Sequence, residues 1–259
     1  MQNGQDQGRR MEKYETAKVA YRWLRRAIGG MGVALPFLVW GVHSAQVLNA
    51  VPLPSISDYY HTEVQYIFVT VLAAVAILLF AYPGYDRDDD LAGTLAGVFA
   101  AGVVLCPTRL DADTRAAVKV LSVLHFIFAA LMFGTLAVFC LVLFRRTVAD
   151  RKPPALASDM GARVRSMLQR QDVQVGGKKK QRNDVYWLCG WMIVACMVGA
   201  ALYKLAEHFL PSLSRWQGVF VFESLALLAF GFAWMVKGEA VLADSVDSIT
   251  SAPDTAAQS

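Results

Sequence analysis

Six stretches of this chain, near 28–45, 64–83, 91–106, 120–144, 185–206 and 218–236, hold almost no charged residue. In hydrocarbon no water satisfies the backbone, so a span must be a helix of roughly 20 apolar residues or a closed barrel. The stretches do not alternate with period two, which argues against the barrel. They are apolar in blocks, not in the stripes of a soluble amphipathic helix. The 259-residue chain is 56% hydrophobic, with mean hydropathy +0.39, richer than a typical soluble domain. The sequence therefore predicts an all-α, multi-pass transmembrane bundle of about six helices.

Where the charges sit matters more than the net +4. Residues 1–27 hold Arg9, Arg10, Lys13, Lys18, Arg22, Arg25 and Arg26, and residues 145–184 hold eleven more Lys and Arg, from Arg145 to Arg182. Cytoplasmic loops are enriched in Lys and Arg, so both segments are expected on the cytoplasmic side, and six spans return the C-terminus there too. The expected partners are membrane lipids. Nucleic acid is not, because a juxtamembrane cluster such as Lys178–Lys180 more often meets anionic headgroups. A cleaved signal peptide fits poorly, since a basic region of about 26 residues is too long for an n-region. Its helical spacing predicts a short interfacial helix leading into a retained first span. Residues 239–259 read as a polar cytoplasmic tail without order.

Smaller features have plain physical readings. Gly93, Gly97 and Ala101, beside Ala92, Ala96 and Ala100, predict a third helix that packs closely inside the bundle. The acidic residues Asp86, Asp88, Asp89 and Asp90 before it suit a helix N-terminus better than a metal site, and the EF-hand pattern does not fit. Cys106, Cys140, Cys189 and Cys196 form no metal or disulfide spacing and read as small buried side chains.

Ionisable residues inside apolar helices are the functional candidates. On the six-span map His43, His61, His125 and His208 all fall on the outer side. Glu223 stands inside an apolar run near the outer end of the sixth span and must turn inward to a partner such as Lys204, His125 or Arg109. The predicted site is a polar pocket open to the extracytoplasmic side and lined by helices two to six. Its candidate residues are Asp58, Tyr60, His61, Arg109, Ser122, His125, Lys204 and Glu223, with residues 55–62 and 108–113 as parts of a lid. Three functions compete for it: binding or transport of a small or lipidic ligand, metal-dependent hydrolysis of a lipid ester or amide, and a structural polar cluster. For the hydrolase, His61 and His125 are the candidate metal ligands. No cofactor is identifiable.

Two resemblances bear on these alternatives. As a small bundle with Ser, His and acidic residues, the chain is broadly similar to the alkaline ceramidase and progestin–adiponectin receptor superfamily. Its Ser122-x-x-His125 is one residue short of that superfamily's Ser-x-x-x-His, however, and it has no His-x-x-x-His. More of the chain resembles a family of uncharacterised bacterial six-helix membrane proteins. That resemblance rests on Ser55-Ile-Ser-Asp-Tyr-Tyr-His-Thr, Gly84-Tyr-Asp-Arg, Asp89-Asp-Leu-Ala-Gly-Thr-Leu-Ala-Gly-Val-Phe-Ala and Pro107-Thr. His125-Phe, Tyr203-Lys-Leu, Glu223-Ser-Leu-Ala-Leu and Val236-Lys-Gly extend it, so that it covers about Pro54 to Gly238. It implies a bacterial inner-membrane location and no particular activity.

Overall fold

The computed structural model describes residues 2–48, 51–84, 86–108, 116–146 and 179–242, the side chains of 2–15, 17 and 18 excepted. Among the described residues there is no strand. Helix α1 spans Gln2–Val47, α2 Gln65–Phe80, α3 Arg87–Leu105, α4 Ala116–Val138, α5 Lys179–Phe209 and α6 Gly218–Lys237. Short 3-10 helices at Ile56–His61 and Pro211–Trp216 precede α2 and α6, and α4 ends in a π turn, Phe139–Leu143. Among the described residues four helices are long and apolar enough to cross a membrane: α1 from Val19, α4 with its π turn, α5 and α6. The chain is thus a helical membrane protein. Of the other two expected spans, α2 is apolar but only 16 residues long, and α3 begins Arg-Asp-Asp-Asp.

Burial runs opposite to that of a soluble protein. Helix α4 buries Ser122 and His125 while exposing Val123, Phe126 and Ile127. Helix α3 buries Ala92, Gly93, Ala96, Gly97 and Ala100, and exposes Leu91, Leu95, Val98 and Leu105. Water would not tolerate so much contiguous apolar exterior, whereas lipid favours it. Small residues then let helices touch. Built onto Gly97, a Cβ would stand 3.0 Å from the Ala76 carbonyl of α2; on Gly29, it would stand 2.6 Å from the Gly231 carbonyl of α6.

Side-chain contacts divide the bundle into two ends. At one, Arg22 pairs with Glu239 at 3.0 Å, and Arg26 donates to the carbonyls of Gly238 and Glu239. Arg25, only 4% exposed, donates to the Lys237 carbonyl at 3.2 Å and the Tyr82 hydroxyl at 3.3 Å, with its guanidinium 3.9 Å over the Tyr21 ring. Arg146, just after α4, reaches Asp88 at 2.7 Å and Asp86 at 3.5 Å. Trp234 is the hub between these groups, with Tyr82, Phe139, Phe144 and Phe230 at centroid distances of 5.0–5.8 Å. The opposite end gathers His43, the 3-10 helix at 56–61, Thr108, His125 and the start of α6. Each successive helix therefore runs from one end to the other.

Several boundaries differ from the sequence reading. Helix α1 is continuous from Gln2 to Val47, so the expected interfacial helix and the first span are one element, and Gly29 and Gly32 stay helical where α6 packs against them. The tail does not begin at 239: Glu239 is tied to Arg22 and Arg26, and Val241 and Leu242 pack on the core. Asp86 caps α3 by accepting the Asp89 amide at 3.0 Å, and Asp90 accepts the Gly84 amide at 2.7 Å. Most of the basic segment 145–184 lies outside the described residues, as does the tail from 243.

Candidate functional site

A partly open cavity of 710 Å³ lies at the end opposite the arginines. Its walls are α4, α5 and α6, and its polar end is closed by residues 53–62 and Thr108. Helices α2 and α3 contribute none of the wall beyond residues that flank them, so the expected lining by helices two to six narrows to three. Along α4 the wall extends from Ser122 to Phe133, about 16 Å at 1.5 Å per residue. One end of the cavity presents Ser55, Asp58, His61, Lys204 and Glu223; the other presents Ala129, Ala130, Phe133, Met197, Ala200 and Ala226.

The polar end is built by a reciprocal clamp between the segment 54–56 and the first turns of α6. The first amides of any helix lack intrahelical acceptors. Here the Phe220 amide finds one in the Pro54 carbonyl at 2.9 Å. In return the Ile56 amide donates to Glu223 Oε2 at 2.6 Å, and the Ser55 side chain also bonds Glu223. The partner of Glu223 is therefore a backbone amide with a hydroxyl. Lys204, expected as a possible counter-ion, lies with its Nζ 3.0 Å from Glu207, one turn along its own helix.

A second polar relay sits behind the cavity wall. His125, fully buried, lies with Nδ1 2.6 Å from the Cys106 carbonyl and Nε2 2.9 Å from Ser57 Oγ. A carbonyl can only accept, so Nδ1 carries the proton and Nε2 accepts from the serine hydroxyl. The hydroxyl partner of His125 is thus Ser57 and not the Ser122 of its own helix. This is the order of a nucleophile, a base and an orienting group, but neither Ser57 nor His125 faces the cavity. Its evident work is to bind the 3-10 helix at 56–61 to α4 and to the end of α3. His61 reinforces the same junction through Nε2, 2.7 Å from the Thr108 carbonyl.

The predicted residues divide accordingly. Asp58, His61, Ser122, Lys204 and Glu223 all face the cavity. Tyr60 does not; its ring packs on His61 and Phe68. His125 acts one layer behind, and Arg109, with the lid residues after Thr108, lies outside the described residues. All four histidines sit at this end, His43 against Tyr59 and His208 beside Phe209. Among the described residues no three His, Cys, Asp or Glu side chains come together as a metal site. His61 and His125 each commit a ring nitrogen to a backbone carbonyl.

Within the 56–61 helix, Tyr59 is fully buried and its hydroxyl accepts the Leu53 amide at 3.1 Å. Burial holds this phenol above its ordinary pKa of 10.0; the Leu53 hydrogen bond opposes that rise and the charge of Asp58 adds to it. Sequence reasoning missed Ser55 and Ser57 as individual contributors, along with the Ile56 amide. The only signal was the polar Ser-Ile-Ser-Asp run between two apolar blocks. Compared with protein-family models, curated proteins and solved structures, the chain matches none.

Proposed function

We propose that this protein is a six-span membrane protein that binds an amphiphilic, lipidic ligand in the cavity between α4, α5 and α6. The carrying observation is the division of that cavity into a polar end and an apolar trough, which along α4 runs about 10 Å from Phe126 to Phe133. A polar metabolite would leave the trough unsatisfied, and a pure hydrocarbon would desolvate Glu223 and Asp58 without replacing their water. A head on a chain satisfies both. Transport of such a ligand would use the same site.

The placement in the membrane is part of the proposal. Arg22, Arg25, Arg26, Arg145, Arg146, Lys180 and Lys237 belong to one end, which supports a cytoplasmic position for that end and for both termini. Exposed Trp23, Trp187 and Trp191 near it, and exposed Tyr66 and Trp216 at the other, suit the two interfacial belts. From Trp187 to Phe209, α5 rises about 33 Å, close to the hydrocarbon thickness of roughly 30 Å. Helices α2 and α3 would cross as a close-packed pair. A bacterial inner membrane is the location that the family resemblance supports.

Cys196 lines the trough and provides a natural reporter. In the full chain, peptide-resolved mass spectrometry would follow its alkylation by a small maleimide with increasing amounts of a dodecyl-chain amphiphile. Saturable protection of Cys196, lost when Ala200→Trp fills the trough, is the expected result. Unchanged alkylation with every amphiphile tried would refute the binding function.

A further inference from the structure

Resting on the amphiphile reading of this cavity, we infer that its ligand carries a primary ammonium head, so that the site selects alkylamine-type lipids over neutral or anionic ones. The reason is how charge is arranged at the polar end. The Glu223 carboxylate faces the cavity and is held by neutral donors, the Ile56 amide and the Ser55 side chain. Those bonds fix its position without adding a cation. Lys204 also lines the cavity and its charge acts on Glu223 through space, but its ammonium is bonded to Glu207 Oε2 at 3.0 Å and not to Glu223, and its side chain is 54% exposed. His61 directs Nε2 to Thr108.

The second carboxylate on the wall is Asp58, two residues beyond the amide that holds Glu223. An anionic head would therefore enter beside the Glu223 carboxylate, whose bonded donors are neutral. Its nearest lysine already has an acidic partner. An ammonium brings three donors and no acceptor, and a carboxylate offers roughly four acceptor positions. Ile56 and Ser55 use two of those on Glu223, so capacity remains for the ligand. The chain below the ammonium would follow Ala129, Phe133, Met197 and Ala200 into the trough. Charge complementarity at the head and apolar complementarity along the chain thus point to one class of molecule.

The test uses the full chain in nanodiscs of an uncharged galactolipid, which supplies no amine of its own. Dodecylamine, dodecanol and dodecyl phosphate are compared by half-protection of Cys196 at equal mole fraction in the bilayer. The expected result is protection by dodecylamine at about tenfold lower mole fraction than by either other probe, the ratio worth one charge-assisted hydrogen bond. Glu223→Gln, whose amide oxygen can still accept from Ile56, should erase that preference. Dodecanol or dodecyl phosphate protecting as well as dodecylamine would overturn the ammonium assignment while leaving an amphiphile site. No protection by any probe would overturn both. The wild-type series decides the question even where the Gln variant fails to fold.

Discussion

The crossing of α1 and α6 allows the same substitution to be made at two neighbouring positions with opposite expected signs. Gly29 and Gly231 meet backbone to backbone: a Cβ on Gly29 would stand 2.6 Å from the Gly231 carbonyl oxygen, and one on Gly231 would stand 2.5 Å from that of Gly29. Ordinary contact begins near 3.4 Å, so the helices must part by roughly 0.8 Å to admit one methyl group. A gap of that size forfeits a quarter to a half of each contact's dispersion energy. With on the order of twenty close atom pairs at about 0.15 kcal/mol each, the loss is near 1 kcal/mol before any helix bends. Overpacking in dense interiors costs about 1–3 kcal/mol in all, and that is the expected cost of Gly29→Ala or Gly231→Ala. A Cβ on Gly30 or Gly41 meets nothing within 4 Å. There alanine should only gain its helix preference, up to about 1 kcal/mol. The two classes should differ by about 1–4 kcal/mol. At roughly 2–4 °C per kcal/mol in a chain of this size, that is on the order of 2–16 °C in melting temperature. Tryptophan fluorescence of purified protein on heating, with six tryptophans as reporters, measures it directly. Gly29→Ala melting with or above Gly30→Ala would refute the close crossing.

Other consequences can be measured independently. Ser57→Ala removes the donor to a buried His125 nitrogen and should cost about 1–3 kcal/mol, read as a lower melting temperature; an unchanged transition would show that the relay is not formed. Arg25→Met leaves the Lys237 carbonyl without this donor inside the bundle and should destabilise by a similar 1–3 kcal/mol, whereas a stabilised variant would mean that burying the charge outweighs its bonds. The Tyr59 pKa is raised in the folded protein, so its protonated form is favoured there. Its contribution to stability is complete below pH 10 and declines as pH climbs past the folded value. Ultraviolet titration against Tyr59→Phe should assign one phenolate that appears only above pH 10, and ionisation at or below 10 would contradict its burial. Single cysteines at Asp58 and Lys179 should label from opposite faces of sealed vesicles; labelling from one face would refute the six-span arrangement.

The sequence carried the helices because hydropathy in blocks needs no knowledge of neighbours. The runs at 120–144, 185–206 and 218–236 correspond to α4, α5 and α6 to within a few residues at most ends. Gly93 and Gly97 were legible for a related reason, since a small residue in a span has few uses besides close approach. Burial of Arg25 was not legible. Beside Arg22 and Arg26 it reads as one more topogenic charge, and only the folded bundle sets it between Tyr21, Tyr82 and the end of α6. The continuity of α1 was hidden as well, because glycines that would weaken an isolated helix are supported here by the helix they touch.

The site was half legible, and the missing half has one physical cause. Ionisable residues in apolar runs stand out, so Glu223, His125 and Lys204 were named from sequence, and their conjectured partners were other charged side chains. The fold instead gives Glu223 an amide and a hydroxyl, and gives His125 a carbonyl and a hydroxyl. Such partners are invisible to a search for charges, because every residue has an amide and a carbonyl, and serine is common everywhere. For the amphiphile site we propose, neutral partners also serve better than an ion pair would. A lysine bonded to Glu223 would neutralise the carboxylate to which the proposed ammonium head binds, and would fill the space beside it. Backbone donors orient the group and leave its charge available to a ligand. The residues that determine the chemistry are thus conspicuous in the sequence. Those that aim them, Pro54 to Ser57, become visible only when the loop folds back onto α6.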